Sequence, residues 1–182
     1  MYAVPAVGDE RKNSMKALVV YDSQYGNTER VAQVIVDTLG GPDQASAMRV
    51  GQVDLKHLEG LSLLIVGSPT QRFNPTPATT QFLKGLSAGS LKGIKVAAFD
   101  TRFTVEAIER IRILAFFVRI FGYAAEPIAK QLKAKGGTLV VPPEGFYVKD
   151  TEGPLLEEEL ERAGEWARQI VNSGKITSTH SA

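Results

Sequence analysis

The sequence predicts an α/β protein in which a parallel sheet is doubly wound by helices, giving a three-layer α/β/α sandwich in one domain. Three observations carry that prediction. Ala17–Tyr21, Leu63–Val66, Val96–Phe99 and Leu139–Val141 are short, continuous apolar runs, the pattern of strands buried on both faces of a parallel sheet. Segments with apolar residues at helical spacing lie between them, so strand and helix alternate, as right-handed crossover connections require. At 182 residues the chain is long enough for one substantial core, and no repeat or internal linker divides it.

Each element has its own signal. Residues 1–14 mix charge, Pro and Gly without periodicity and read as a disordered leader. The domain is expected over 15–172, beginning with the strand Ala17–Tyr21, a turn at Asp22–Asn27 and a helix opening at Thr28. Val31, Val34, Ile35, Thr38 and Leu39 fall on one face of that helix, and Gly40-Gly41-Pro42 ends it. Met48–Val53 alternates weakly, which suits an edge strand. After Leu63–Val66, Pro77 opens the next helix, with Phe82, Leu83 and Leu86 as its apolar side. After Val96–Phe99, a helix from about Tyr123 carries Ala125, Ile128, Ala129 and Leu132 and closes at Gly136-Gly137. Pro142 to Asp150 reads as an extended stretch crossing back over the sheet edge, with Phe146 and Tyr147 as packing residues. The last helix is expected from near Pro154, with Leu156, Leu160, Ala163, Ala167 and Ile170 inward. Glu157, Glu158, Glu159 and Glu161 would form its solvated, dipole-matched first turn. From Ser173 onward, 173–182 reads as a flexible tail.

Composition removes several classes of function. A net charge of +1 provides no bulk field for nucleic acid or anionic membrane. With no cysteine there is no disulfide, thiolate nucleophile or Cys-ligated metal, and two histidines leave little for a metal site or a Ser/His/Asp triad. Redox chemistry would have to come from a bound cofactor. No stretch reads as a transmembrane span, and a cytoplasmic protein is expected.

Function should lie in the loops beyond the carboxyl ends of the strands, where open α/β sheets bind ligands. The first, Ser23-Gln24-Tyr25-Gly26-Asn27-Thr28, joins a strand directly to a helix N-terminus. Such a junction offers unpaired backbone N–H groups and a positive dipole end to an anion. Ordinary turn and capping chemistry by Asn27 or Thr28 accounts for the same residues equally well. The second loop, Val66 to Pro77, is held stiff by three prolines and carries Phe73 at its tip, placed either to stack on a flat heterocycle or to fold back into the core. The third, Asp100-Thr101-Arg102-Phe103, offers a carboxylate, a hydroxyl, a guanidinium and an aromatic; Asp100 alone suits pairing with Arg102 or capping the next helix as well as ligand contact.

Taken in order, the three loops make the sequence resemble the flavodoxin-like family of FMN-binding proteins. Ser23-Gln24-Tyr25-Gly26-Asn27-Thr28 is similar to the family's phosphate loop, Gly67-Ser68-Pro69-Thr70 to the start of its second flavin loop, and Asp100-Thr101-Arg102 falls where the third belongs. The resemblance implies a five-stranded sheet of order 2-1-3-4-5. It implies that Ser23, Tyr25, Gly26, Asn27 and Thr28 hold the FMN phosphate, with Gln24 in the same cofactor-binding loop, and that Ser68, Pro69, Thr70, Gln71, Arg72, Phe73, Asp100, Thr101, Arg102 and Phe103 flank the isoalloxazine. The implied function is electron transfer through non-covalent FMN, by one-electron exchange with a redox partner protein. An FMN-dependent NAD(P)H or quinone oxidoreductase, with a small-molecule donor or acceptor, and a cofactor-free partner-binding module stand as alternatives. No residue is assigned a catalytic or metal-binding role.

Two departures from the family stand out. Arg72 and Arg102 put cations in the two ring loops, where many flavodoxins place acid, so a less negative lower potential is expected. Residues 104–121 form an insertion, apolar with interspersed arginines, that reads as a lid or a homodimer contact ahead of a peripheral membrane contact.

Overall fold

The computed structural model of the protein describes residues 15–104 and 123–176. The leader, the insertion beyond Thr104 and residues 177–182 lie outside the described residues. Strands β1 (Ala17–Tyr21), β2 (Ala45–Arg49), β3 (Leu63–Pro69), β4 (Lys95–Phe103), β5 (Thr138–Leu139) and β6 (Glu144–Val148) form one sheet. Its order is β2-β1-β3-β4-β5, with β6 also on β4, and every ladder is parallel. The doubly wound sheet is as the sequence predicts.

Helices α1 (Asn27–Thr38) and α4 (Glu159–Ile176) cover one face, and α2 (Pro77–Gly85) and α3 (Ala125–Ala134) the other. Successive side chains of a strand point to opposite faces, so β1 sends Val19 and Tyr21 into the first layer and Leu18 and Val20 into the second. All of β1 is buried, which is why it reads as a continuous apolar run. In the first layer Phe99, Phe146 and Trp166 meet edge to face, with centroids 5.9 to 6.2 Å apart. A Cβ on Gly67 would fall 2.1 Å from the Phe99 ring. The glycine of the second loop motif is therefore required by the core.

Three boundaries differ from the sequence reading. The second strand is Ala45–Arg49, earlier than Met48–Val53, because Val50–Gln52 turns into a 3-10 helix once Arg49 has paired with Tyr21. Val50 and Val53 are apolar because they pack on the second layer, which mimics strand alternation. The fifth lane is split. β5 pairs with Lys95–Val96, Pro142 and Pro143 interrupt it without an N–H to offer the ladder, and β6 resumes beside Phe99–Phe103. The 142–150 stretch thus continues the edge lane rather than crossing back over it.

The last helix begins at Glu159, not near Pro154. Residues 148–156 first form a strap, with Lys149 N–H on the Pro154 carbonyl and Leu156 N–H on the Tyr147 carbonyl, both 2.9 Å. Leu156 lies in that strap, outside the helical stripe. Glu159 is buried, not solvated: it accepts from Tyr147 N–H at 2.9 Å and pairs with Arg162 at 2.6 Å. The acidic run therefore contains one internal anchor that joins α4 to β6. The helix runs on to Ile176, past the expected start of the tail.

Candidate functional site

The loops after β1, β3 and β4 converge at the carboxyl edge of the sheet, where they and the strap enclose a cleft of about 300 Å³. That volume is at the small end of the range for cofactor sites, roughly 300–1,000 Å³. Ser23, Gln24, Tyr25, Asn27, Thr28, Pro69, Thr70, Gln71, Thr101, Arg102, Phe103, Val148 and Thr151 line it.

The first loop is built around Gly26. With φ at 84° it takes a left-handed conformation, in open space, so the backbone and not crowding demands glycine there. Asn27 and Thr28 do not cap the helix: the N-cap residue of α1 is Gly26, and Ser23 Oγ accepts from Glu29 N–H at 3.4 Å. Asn27 donates instead to the Glu152 carbonyl at 3.0 Å, and Thr28 Oγ1 shares a hydrogen bond with Thr101 Oγ1 at 2.9 Å. Among the described residues, nothing accepts a hydrogen bond from the backbone N–H groups of Gln24, Tyr25, Gly26, Asn27 or Thr28. These donors at a helix N-terminus form a concave anion cradle. Outside it, Arg49 donates to the Ser23 carbonyl at 3.0 Å and to Glu29 at 2.8 Å. The Tyr21 hydroxyl, 2.8 Å from Glu29, together with Arg49 holds that carboxyl below its usual range. Arg49 thus balances the one acid in the first turn of α1 and steadies the loop from behind.

The second loop divides into parts that meet the cleft and parts that do not. Pro69, Thr70 and Gln71 line it, and Gln71 donates to Gln24 at 2.8 Å, tying the first two loops together. Ser68 is fully buried; its hydroxyl donates to the Pro69 carbonyl and accepts from Thr76 N–H, both at 3.0 Å. Arg72 and Phe73 form the tip of a tight hairpin closed by reciprocal Gln71–Asn74 hydrogen bonds of 2.9 and 3.0 Å. Their φ values of 47° and 69° are those of a type I′ turn. Neither residue is among those that line the cleft.

In the third loop Thr101, Arg102 and Phe103 line the cleft, and Asp100 lies behind them with no exposure. Asp100 accepts from Arg102 Nε at 2.5 Å and Nη2 at 2.8 Å, and from Ala125 N–H at 2.8 Å. With Thr70 Oγ1, which accepts from Ala124 N–H at 3.0 Å, it satisfies the start of α3. Burial pushes Asp100 up to about 6 against the opposing pull of Arg102. Of the residues named from sequence, Ser68, Arg72, Phe73 and Asp100 thus stand outside the lining, as does Gly26, whose part is to shape the backbone. Val148 and Thr151 were not legible as site residues. They reach the cleft because β6 pairs with β4 and the strap returns over α1, and no local motif marks either event.

The sequence model of the family described as Flavodoxin matches residues 19–101. The chain is similar to the flavodoxin of Clostridium saccharobutylicum, 27% identical over 165 residues that cover 88% of this chain and 98% of that protein. These matches make the chain similar to the flavodoxin-like family. Among solved structures it is similar to an archaeal flavodoxin, at TM-score 0.69 and 23% identity over 88% of this chain and 99% of that one. Oxidised Flavodoxin 2 from Bacillus cereus is similar at TM-score 0.69 and 24% identity, over 86% of this chain and 98% of that one. At these identities the structural likenesses speak to fold, and they agree with the sheet order.

The residues present fit the family's cofactor, FMN. An open cradle of neutral N–H donors suits a phosphate. Tyr25 and Phe103 bring aromatic surface to the cleft from the first and third loops, and Thr70, Gln71 and Thr101 bring polar groups to its walls.

Proposed function

We propose that the protein is an FMN-binding electron carrier that exchanges electrons one at a time with a redox partner protein, acting in the cytoplasm. The observation that supports this most is the run of N–H groups from Gln24 to Thr28 that find no acceptor among the described residues, in a cleft walled by three loops. Bound FMN would supply the redox chemistry, and the protein contributes binding, orientation and electrostatics. Gln24 to Thr28 would hold the phosphate through backbone donors, with Ser23 beside them in the cleft lining. Pro69 to Gln71 and Thr101 to Phe103 would border the ring, with Val148 and Thr151 closing the cleft from the strap. Ser68 and Asp100 act beneath, keeping the second and third loops in shape. No helix among the described residues is long and apolar enough to cross a membrane.

Purified protein should carry a flavin absorbance spectrum, or acquire one on titration with FMN, and prefer FMN to riboflavin. Anaerobic photoreduction should then proceed in two resolved one-electron stages. A colourless protein that takes up no FMN would remove this reading. Rapid turnover with NAD(P)H and a quinone, without stable one-electron stages, would replace it with an oxidoreductase.

A further inference from the structure

Arg102 is the sole charged side chain among the described residues that line the cleft. Its guanidinium is held from several sides. Asp100 binds it through both carboxylate oxygens, at 2.5 and 2.8 Å, and its central carbon lies 3.8 Å from the centroid of the Tyr123 ring. A Cβ on Gly145 would fall 2.2 Å from its Nε, so the absence of a side chain in β6 makes the space it fills. Asp100 itself has no exposure, and Ala125 N–H fixes its second oxygen at 2.8 Å. The pair is therefore oriented, with Arg102 at the cleft, its side chain 10% exposed, and the Asp100 carboxylate fully buried behind it.

We propose that Asp100 is a positioning residue that locks Arg102 into the cleft wall and sets how much of its positive charge a bound flavin experiences, thereby tuning the second one-electron potential. This rests on the FMN reading above. A cation in a poorly solvated wall favours an added negative charge, and a counterion behind it attenuates that effect. No bond forms or breaks at either residue; they act only through their field on the arriving electron. The balance is adjustable because burial already brings the Asp100 carboxyl up to about 6, with Arg102 and the Ala125 N–H opposing and Glu126 adding to the rise. Tyr123 lies on the other face of the guanidinium, with its hydroxyl raised mainly by burial.

The two halves of the pair make opposite predictions. Asp100→Asn keeps the guanidinium and removes the opposing charge, so the cleft wall becomes more positive. Arg102→Gln strips a buried carboxyl of its counterion; the carboxyl then takes up a proton, and the wall loses its positive end. Potentiometric titration of the FMN-bound proteins at pH 7.5 should show the second one-electron potential rising in Asp100→Asn and falling in Arg102→Gln. A tenfold change in the one-electron equilibrium in each direction corresponds to about 59 mV. Arg102→Lys, which retains the charge, should stay closer to the wild type than Arg102→Gln does. A purely structural role would move both variants the same way, through a loosened site. Shifts of like sign, or Arg102→Lys falling as far as Arg102→Gln, would overturn the proposal while leaving the FMN reading intact. If Asp100→Asn does not fold, the Gln and Lys variants of Arg102 decide the matter. A wild-type protein that binds no FMN would overturn both.

Discussion

The loop after β1 and the loop after β4 face the same cleft and handle charge in opposite ways. The first uses no charged side chain at its lining: backbone N–H groups from Gln24 to Thr28 supply the donors, and Gly26 sets their direction. The second brings an arginine to the wall and holds it with a buried carboxylate. Backbone donors are cheap to present at a helix start, since they lack intrahelical partners anyway. A full charge needs a counterion and a fixed seat, because an unpaired buried ion is costly. The first loop therefore takes its donors from its own backbone, while Arg49, Glu152 and Thr101 hold it in place. The second draws on β6 for its space, on Tyr123 for a stacking face and on the start of α3 for its anchor.

The largest effect is expected at Gly26. Gly26→Ala places a side chain at φ 84°, and relief of that strain would turn the N–H groups away from the cleft. FMN affinity measured by fluorescence titration should fall about 100-fold, ~2.8 kcal/mol, with a loss of folding stability of ~1–2 kcal/mol. An affinity within threefold of the wild type would break the claim that backbone direction governs this end.

The next effect concerns the other end and shows in pH. Asp100 is raised from 3.8 to about 6. Between those values the folded protein keeps a proton that the unfolded chain has released, so this group's contribution to stability falls as pH rises through the window and stays low above it. In denaturant titrations, wild-type stability relative to Asp100→Asn should decline from about pH 4 to about pH 6 by ~1–3 kcal/mol. A difference that instead grows with pH across that window would show the carboxyl to be lowered, not raised.

Thr28→Val tests the one side-chain link between the two loops, the 2.9 Å hydrogen bond to Thr101. It should cost ~1 kcal/mol of stability by thermal melt and weaken FMN severalfold; no change in either would mean that the loops are positioned independently. The smallest effect is a negative one. With only dipoles at the first loop's lining, FMN affinity is expected to change less than about threefold between 50 and 500 mM salt, a range over which screening suppresses exposed ion pairs. A tenfold loss by equilibrium dialysis would show that charged groups dominate at the phosphate end as well.

These contrasts also separate what was readable from what was not. The doubly wound sheet was legible because β1, β3 and β4 are apolar on both faces, and burial on both faces leaves a direct trace in the residues. The first loop was legible because its chemistry is local: strand, turn and helix start are contiguous, and glycine marks the one backbone conformation that other residues resist. The resemblance of the three loops to one family supplied the cofactor. Tertiary structure alone decided that Arg72 and Phe73 leave the lining at a hairpin tip, that Asp100 serves Arg102 and α3 from behind, and that Val148 and Thr151 enter from a strap. It also turned Glu159 inward, away from the water in which its charge suggested it should lie. Apart from the hairpin tip, which Gln71 and Asn74 close locally, these depend on a partner distant in the chain, such as Gly145 beside Arg102 or Tyr147 above Glu159. Periodicity records only which residues are buried, whereas the direction of a buried charge is set by the counterion that folding brings to it.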